Sequence, residues 1–437
     1  MDLKIMLKEH VIELATKSAR SFLAGPSAPF RLKRPQALII PKIRKSGIYI
    51  HVPFCKQLCP YCPYNRILYN EELASEYLTA LTREIGNYSR QLPEMEVPSV
   101  YFGGGTPTLL SHNLKKIVET LHSDFRIEGP FCIETHPADL TWNKVQSLKS
   151  MGFDSISLGV QSFQQKFLDL IGRHYTPDKI EQVLNWLERA DFMTINMDLL
   201  FALPGETLED LAADLEKATS TFVDQITFYP LFTFPYSSIG EYRKLKNVEM
   251  PNLSMRRKIY YFLYDYLIDK GYHRVSVWSF KKKAETPRFS SVTREHYVGF
   301  GPSACSYYGS LFTLNTFSVP EYIKSIGEKG HAVALETSFT ERLSILYDFY
   351  WRLYDTYIPE RRELDQRTYA LKDVKHLNLL MKLSELFGML KRNGDYSSLT
   401  REGCFWIYLI QNYFSLRYIN TIWSEAKREA WPEVINF

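Results

Sequence analysis

The sequence predicts an α/β fold: a partial (β/α)6 barrel over residues 46–310, an N-terminal leader over 1–45, and a mostly helical domain over 311–437 that covers the barrel mouth. Three observations carry this. Short β-branched or aromatic runs alternate with longer helical patterns from Ser46 onward, and strands separated by helices pair in parallel through right-handed crossovers. Six such units follow in succession, which makes a partial barrel the natural architecture. After the glycine-rich turn GFGPSACSYYG the pattern becomes helical and rich in large aromatics, as in FYWRLYDTY and FWIYLIQNYF.

In order along the chain, the leader passes from a weakly amphipathic stretch into a proline-rich, basic segment (GPSAPFRLKRPQ, then PKIRKSG) that reads as a tether. The strand runs are GIYIHV, SVYFG, FCIET, SISLGV, TINMDLLF and QITFYPL. Helical periodicity places helices near 71–91, 112–123, 142–151, 164–172, 178–190 and 207–220 between and after them. A further helix (252–270) and a strand (HRVSVWSF) lead into the glycine-rich turn. A winged helix is one form the final domain can take.

With 437 residues, 45% of them hydrophobic, the chain can bury a large core. A formal net charge of +4 advertises no nucleic-acid partner, and no apolar run approaches the ~20 residues of a membrane span. The N-terminus lacks a secretory pattern, so a cytoplasmic location is expected. Of the six cysteines, three fall within eight residues, which is the spacing of a metal site and not of a disulfide framework. Cys132, Cys305 and Cys404 stand alone and read as small buried hydrophobes.

The candidate chemistry lies at the strand ends, where a barrel places its site. The first strand runs through His51 to Cys55, and the next loop gives Cys55-x3-Cys59-x2-Cys62. Three thiolates on one loop can ligate three irons of a cubane and leave the fourth open to a ligand. Structural zinc is the plainer alternative; it needs a fourth ligand, for which His51 is the near candidate. The second strand ends in Tyr101-Phe102-Gly103-Gly104-Gly105-Thr106-Pro107, whose glycines permit close approach to the main chain or simply make a tight turn. Later strands deposit Glu134, Gln161 and Asp198, which serve a ligand if they converge and cap backbone groups if they do not. Arg173 follows in the next helical turn, placed to pair with a carboxylate in the same pocket or to remain solvated.

In order, CxxxCxxC, YFGGGTP, GVQSF, NMDLLFALPGET and GFGPSACSYYG resemble the radical S-adenosylmethionine (SAM) enzymes of the oxygen-independent coproporphyrinogen III dehydrogenase-like (HemN-like) family, strongly over residues 46–310. The resemblance implies that Cys55, Cys59 and Cys62 bind a [4Fe–4S] cluster whose open iron is chelated by SAM. It implies that Tyr49, Phe54 and Tyr61 lie near the cluster, with Tyr61 on the adenine face, and that Gly104, Gly105 and Thr106 contact the methionyl amino group. It places Glu134, Gln161, Arg173 and Asp198 around SAM, and Gly301 and Ala304 in a turn beside a second SAM. The activity implied is reductive cleavage of SAM to a 5′-deoxyadenosyl radical, with a reductant such as flavodoxin or ferredoxin as partner. The tail LTREGCFWIYLIQNYFSLRYINTIW looks most like the class C methyltransferases and cyclopropanases, which transfer a methyl or methylene carbon to an sp2 centre of a small-molecule or natural-product substrate using two SAM molecules. Coproporphyrinogen decarboxylation or a related porphyrin reaction is the alternative, and Lys281, Lys282, Lys283, Arg288 and Arg294 would suit its propionates or simply form a solvated basic loop. Non-catalytic haem delivery is a third reading. The segment PRFSSVTREHYVGFG lacks the His-Asn and Tyr-Trp pairs of the haem-trafficking relatives, and Tyr64 stands where the porphyrin enzyme has a further cysteine.

Overall fold

A computed structural model of the chain describes residues 31–233, 250–285, 287–290, 296–359, 371–394, 396–414, 416 and 419–436. Six strands succeed one another: β1 (Gly47–Val52), β2 (Val100–Gly104), β3 (Phe131–Thr135), β4 (Phe153–Gln161), β5 (Thr194–Phe201) and β6 (Gln225–Pro230). A seventh, β7 (Tyr297–Phe300), returns to lie parallel to β1, so the parallel order is β6-β5-β4-β3-β2-β1-β7. No pairing joins β6 to β7 among the described residues, which leaves the barrel partial.

Helices cross between the strands as the periodicity predicts: α1 (Glu71–Gln91), α2 (Ser111–Asp124), α3 (Trp142–Ser150), α4 (Gln165–Leu170), α5 (Pro177–Ala190), α6 (Leu208–Thr219) and α7 (Leu253–Asp269). Side-chain caps fix the starts of α1, α3, α5, α6 and α7, while α2 and α4 have none. Asn70 accepts from Leu73 N, and Thr207 and Asp210 form a reciprocal capping box at α6. The strands are buried on both faces, which is why they read as near-continuous apolar runs. In β5, Ile195, Met197 and Leu199 join the main core, while the alternate Asn196, Asp198 and Leu200 face the cavity inside the barrel. Register sets the inward residues level with one another: Glu134 pairs with Ser157, and Asp198 with both Gly159 and Thr227.

Two expectations are corrected. The segment HRVSVWSF is not one strand but two short ones, His273–Arg274 and Ser279–Lys281, because Ser276 Oγ accepts from Trp278 N and Ser279 N and turns the chain between them. The sheet also runs past residue 310. Antiparallel strands β8 (Cys305–Tyr307), β9 (Leu311–Asn315) and β10 (Val333–Ser338) extend it from β7, with helix α8 (Val319–Lys329) packed alongside α1. Arg31–Lys33 then pairs with β10 and with Val434–Asn436, so the end of the leader belongs to the sheet. Residues 1–30 and Arg294 lie outside the described residues. The remainder is mostly helical, as expected: α9 (Glu341–Tyr354), α10 (Leu371–Leu386), α11 (Arg401–Phe414) and α12 (Asn420–Arg428), with a three-stranded antiparallel sheet of Tyr357–Pro359, Tyr396–Leu399 and Leu390–Asn393. No described helix is long and apolar enough to cross a membrane.

Candidate active site

A cavity of about 310 Å³ opens at the C-terminal ends of β1–β6. Its floor is the cysteine loop. Cys55 sits in a two-residue strand with Phe54, paired to Ile67–Leu68, and the loop closes through Cys62 N to Cys59 O at 3.3 Å. All three thiols are free, and Cys55 accepts a hydrogen bond from Thr106 Oγ1 at 3.6 Å. Burial pushes the Cys55 thiol up to about 11; Thr106 opposes the shift and Cys62 and Cys59 add to it. Loading a metal here would therefore release protons.

His51, the candidate fourth zinc ligand, has both ring nitrogens engaged: Nε2 with Asn65 O at 2.7 Å and Nδ1 with Tyr49 OH at 3.0 Å. Burial lowers its pKa to about 4, so the ring is neutral, donates to the Asn65 carbonyl and accepts from the phenol. No three His, Cys, Asp or Glu side chains among the described residues converge as a single ion requires. Three thiols spread over one loop fit the separate corners of a cluster instead.

The glycine-rich end of β2 is sewn to the cysteine strand by Gly105 N to Val52 O and Thr106 N to Phe54 O, both 2.7 Å. A Cβ on Gly105 would lie 2.5 Å from Phe54 O, and one on Gly104, where φ is +110°, would lie 2.6 Å from the His51 ring. These glycines therefore serve packing as much as ligand access. Gly104 N already donates to Glu134 Oε2 at 3.0 Å, and Tyr101 OH donates to Glu134 Oε1 at 2.7 Å.

Glu134 and Asp198 face the same space. Burial lifts Glu134 to about 7, with the Asp198 charge adding to the rise and the Tyr101 and Gly104 bonds opposing it. Burial likewise lifts Asp198 to about 6 against hydrogen bonds from Ser157 Oγ at 2.7 Å and Asn196 Nδ2 at 2.8 Å. Arg173 does not pair with either carboxylate. Its Nε and Nη2 donate to Tyr61 OH at 2.9 and 2.6 Å, which fixes the Tyr61 ring beside the cysteines. Gln161 lies at the end of β4 with φ +70°, a left-handed conformation unusual for a side-chain-bearing residue and typical of strained functional positions.

Of the residues singled out in the sequence, the three cysteines, Tyr61, Gly104, Gly105, Thr106, Glu134, Gln161, Arg173 and Asp198 line this cavity. Four do not. Tyr49 lies behind it on His51, and Phe54 is fully buried with its ring 5.4 Å from that of Tyr77. Gly301 and Ala304 are buried in a turn where Gly301 N donates to Glu84. The residues that sequence reading missed are Ser157, Asn196 and Thr227, which join the Asp198 network, and the far wall of Tyr229, Trp278 and Tyr354. The period-2 rule puts Asn196 on the strand face of Asp198, but Ser157 and Thr227 reach it from neighbouring strands, which the sequence alone does not signal.

A parallel partial barrel with three thiols on the loop after its first strand defines a radical SAM protein, and the family model of the radical SAM superfamily matches residues 49–218. The chain belongs to the HemN-like radical SAM family. It is 30% identical over 310 residues to the haem chaperone HemW of Bacillus subtilis, covering 68% of this chain and 81% of that one. It is 25% identical over 363 residues to the oxygen-independent coproporphyrinogen III oxidase of Escherichia coli, covering 78% and 79%. The solved structure of the Escherichia coli coproporphyrinogen III oxidase superposes with a TM-score of 0.70 over 84% of this chain and 89% of that one, at 22% identity, and shares the fold.

Membership implies a [4Fe–4S] cluster and SAM, and the residues present fit both. The thiols would supply three cluster ligands. Two half-buried carboxylates without a salt bridge among the described residues suit a ligand carrying a sulfonium.

Proposed function

We propose that this protein reductively cleaves SAM and uses the resulting 5′-deoxyadenosyl radical to take hydrogen from a carboxylate-bearing side chain of a porphyrin-type substrate. The observation that carries this is the build of the cavity. One wall holds the thiols and the two cation-seeking carboxylates, and the other is an aromatic arc of Tyr229, Phe232, Trp278, Phe289 and Tyr354 with Arg288 beside it. When bound, the reduced cluster supplies the electron that breaks the S–C5′ bond. The chain's own groups do the rest. Glu134 and Asp198 hold the cationic end of SAM, Tyr61 is set by Arg173 to flank its adenine, and the aromatic arc excludes water and orients a flat substrate. The coproporphyrinogen oxidases among the relatives support this substrate class.

Methyl or methylene transfer is the competing reaction. It calls for a second SAM against the turn Gly299–Ala304, and Gly301 and Ala304 lie outside the cavity lining. Supplying SAM deuterated at the methyl group decides between the two. The proposal expects deuterium-free 5′-deoxyadenosine, no S-adenosylhomocysteine and, with a one-electron acceptor present to take the electron released on decarboxylation, carbon dioxide from coproporphyrinogen III. Deuterium in 5′-deoxyadenosine together with S-adenosylhomocysteine would establish carbon transfer in its place.

A further inference from the structure

The Asp139 carboxylate, on the turn that follows β3, joins three loops around the cavity. Its Oδ2 accepts from Thr108 Oγ1 at 2.6 Å and Lys144 Nζ at 2.8 Å, and its Oδ1 from Lys144 Nζ at 2.9 Å and Lys56 Nζ at 3.0 Å. Thr108 follows the glycine-rich loop, Lys56 stands directly after Cys55, and Lys144 lies in the first turn of α3. Lys144 Nζ also donates to Thr108 O at 3.1 Å, which closes the arrangement.

The arms differ in kind. The Asp139 side chain is 3% exposed and that of Lys144 22%, so this pair is held largely out of water, where loss of one partner strands a charge. The Lys56 side chain is 66% exposed, and such a pair adds little to global stability. What Lys56 adds is restraint on one short loop. At its start the loop is also tied to the glycine-rich turn directly, through Thr106 N to Phe54 O and Thr106 Oγ1 to Cys55 Sγ, while beyond Lys56 its ties lead elsewhere: Gln57 Nε2 to Gly172 O at 2.9 Å, Arg173 Nε to Tyr61 OH, and Arg66 to Cys59 O.

We propose that Asp139 is a positioning residue for the cluster-binding loop: by holding Lys56, Lys144 and Thr108 on one carboxylate it fixes Cys55 against the glycine-rich loop, so that the cluster and SAM meet a single preformed wall. This rests on the assignment of Cys55, Cys59 and Cys62 to a [4Fe–4S] cluster. Outer-shell partners of metal ligands act in this way, through orientation.

The test uses the full chain, reconstituted anaerobically, with Lys56→Met, Lys56→Arg and Asp139→Asn. Lys56→Met is expected to keep the circular dichroism and melting temperature of the parent, because its ion pair is exposed. It should nevertheless lose iron to a chelator about 10-fold faster and bind SAM about 10-fold more weakly, at the low end of outer-shell effects. Lys56→Arg should restore both, and Asp139→Asn should shift both in the same direction as Lys56→Met. Parental iron retention and SAM affinity in Lys56→Met overturn the proposal. Should the parent chain itself take up no cluster, the cysteine assignment fails and the proposal falls with it, a result distinct from the first.

Discussion

Glu134 and Asp198 face a cavity that offers them hydrogen bonds but, among the described residues, no salt-bridge partner, and burial raises both above the ordinary carboxylate range near 4. A group whose folded pKa is raised contributes stability that is full below its unfolded pKa and is lost as pH rises through the folded value, about 7 for Glu134. A bound cation reverses that preference by favouring the ionised form. SAM is therefore expected to bind more tightly as pH rises from about 6 to about 8, and Glu134→Gln should flatten the profile. Equilibrium binding of SAM to the reconstituted protein across that range is the measurement, and a parental profile in Glu134→Gln would show that another group governs it. At this scale the sequence was informative where chemistry is local. Three cysteines in eight residues point to a metal site from the sequence alone, and the structure brings all three to the cavity. Ser157, Asn196 and Thr227 were silent because single polar residues in strands usually satisfy one another, as these partly do: Thr227 Oγ1 donates to Asn196 Oδ1 at 2.9 Å. Asp139 was silent too, because its three partners come from segments 5 to 83 positions away, a convergence that only the fold creates.

Between residue and molecule, the elements were the most legible. Strands 47–52, 131–135 and 194–201 fall where the runs predict them, since strands buried on both faces leave continuous apolar signatures. The break within 273–281 was not legible, because it depends on a serine hydroxyl capping two backbone amides. The junction of β1 and β2 shows how tightly such elements are tied. Gly105 donates to Val52 O, and a side chain there would strike the Phe54 carbonyl at 2.5 Å, backbone against backbone. Neither partner is a flexible side chain that can give way. Gly105→Ala is therefore expected to cost roughly 1–3 kcal/mol, as overpacking does, and to displace Cys55 with the strand that carries it. Denaturant midpoints and iron content after reconstitution check this; a variant with parental values for both would mean that the loop can re-form around a Cβ.

At the scale of the whole molecule, the expected boundary at residue 310 misplaced the joint. Strand signatures in Leu311–Asn315 and Val333–Ser338 are short and flank a helix, so they read as part of a helical tail, yet they extend the barrel sheet. The helical part begins at α9, and its far end completes the cavity. Tyr354 lines the wall, its carbonyl accepts from Val277 N at 2.9 Å, and its ring meets Trp278 edge-on at 5.6 Å. The adjacent Asp355 takes Arg288 Nη1 at 2.5 Å, with side chains 4% and 19% exposed. The helical part thus completes the proposed substrate-side wall with Tyr354, whereas Tyr229, Trp278 and Phe289 of that wall, the cysteine loop, Glu134 and Asp198 all precede it in the barrel part. Asp355→Ala would leave the Arg288 charge without its ionic partner in a largely buried site, which typically costs about 3–5 kcal/mol, and would loosen that wall alone. Iron loading and 5′-deoxyadenosine formed without substrate should then stay near parental values at a temperature below the lowered melting point, while the KM for substrate rises. An equal loss of substrate-free SAM cleavage would show instead that both walls answer to the same contact, and that the helical part shapes the whole site.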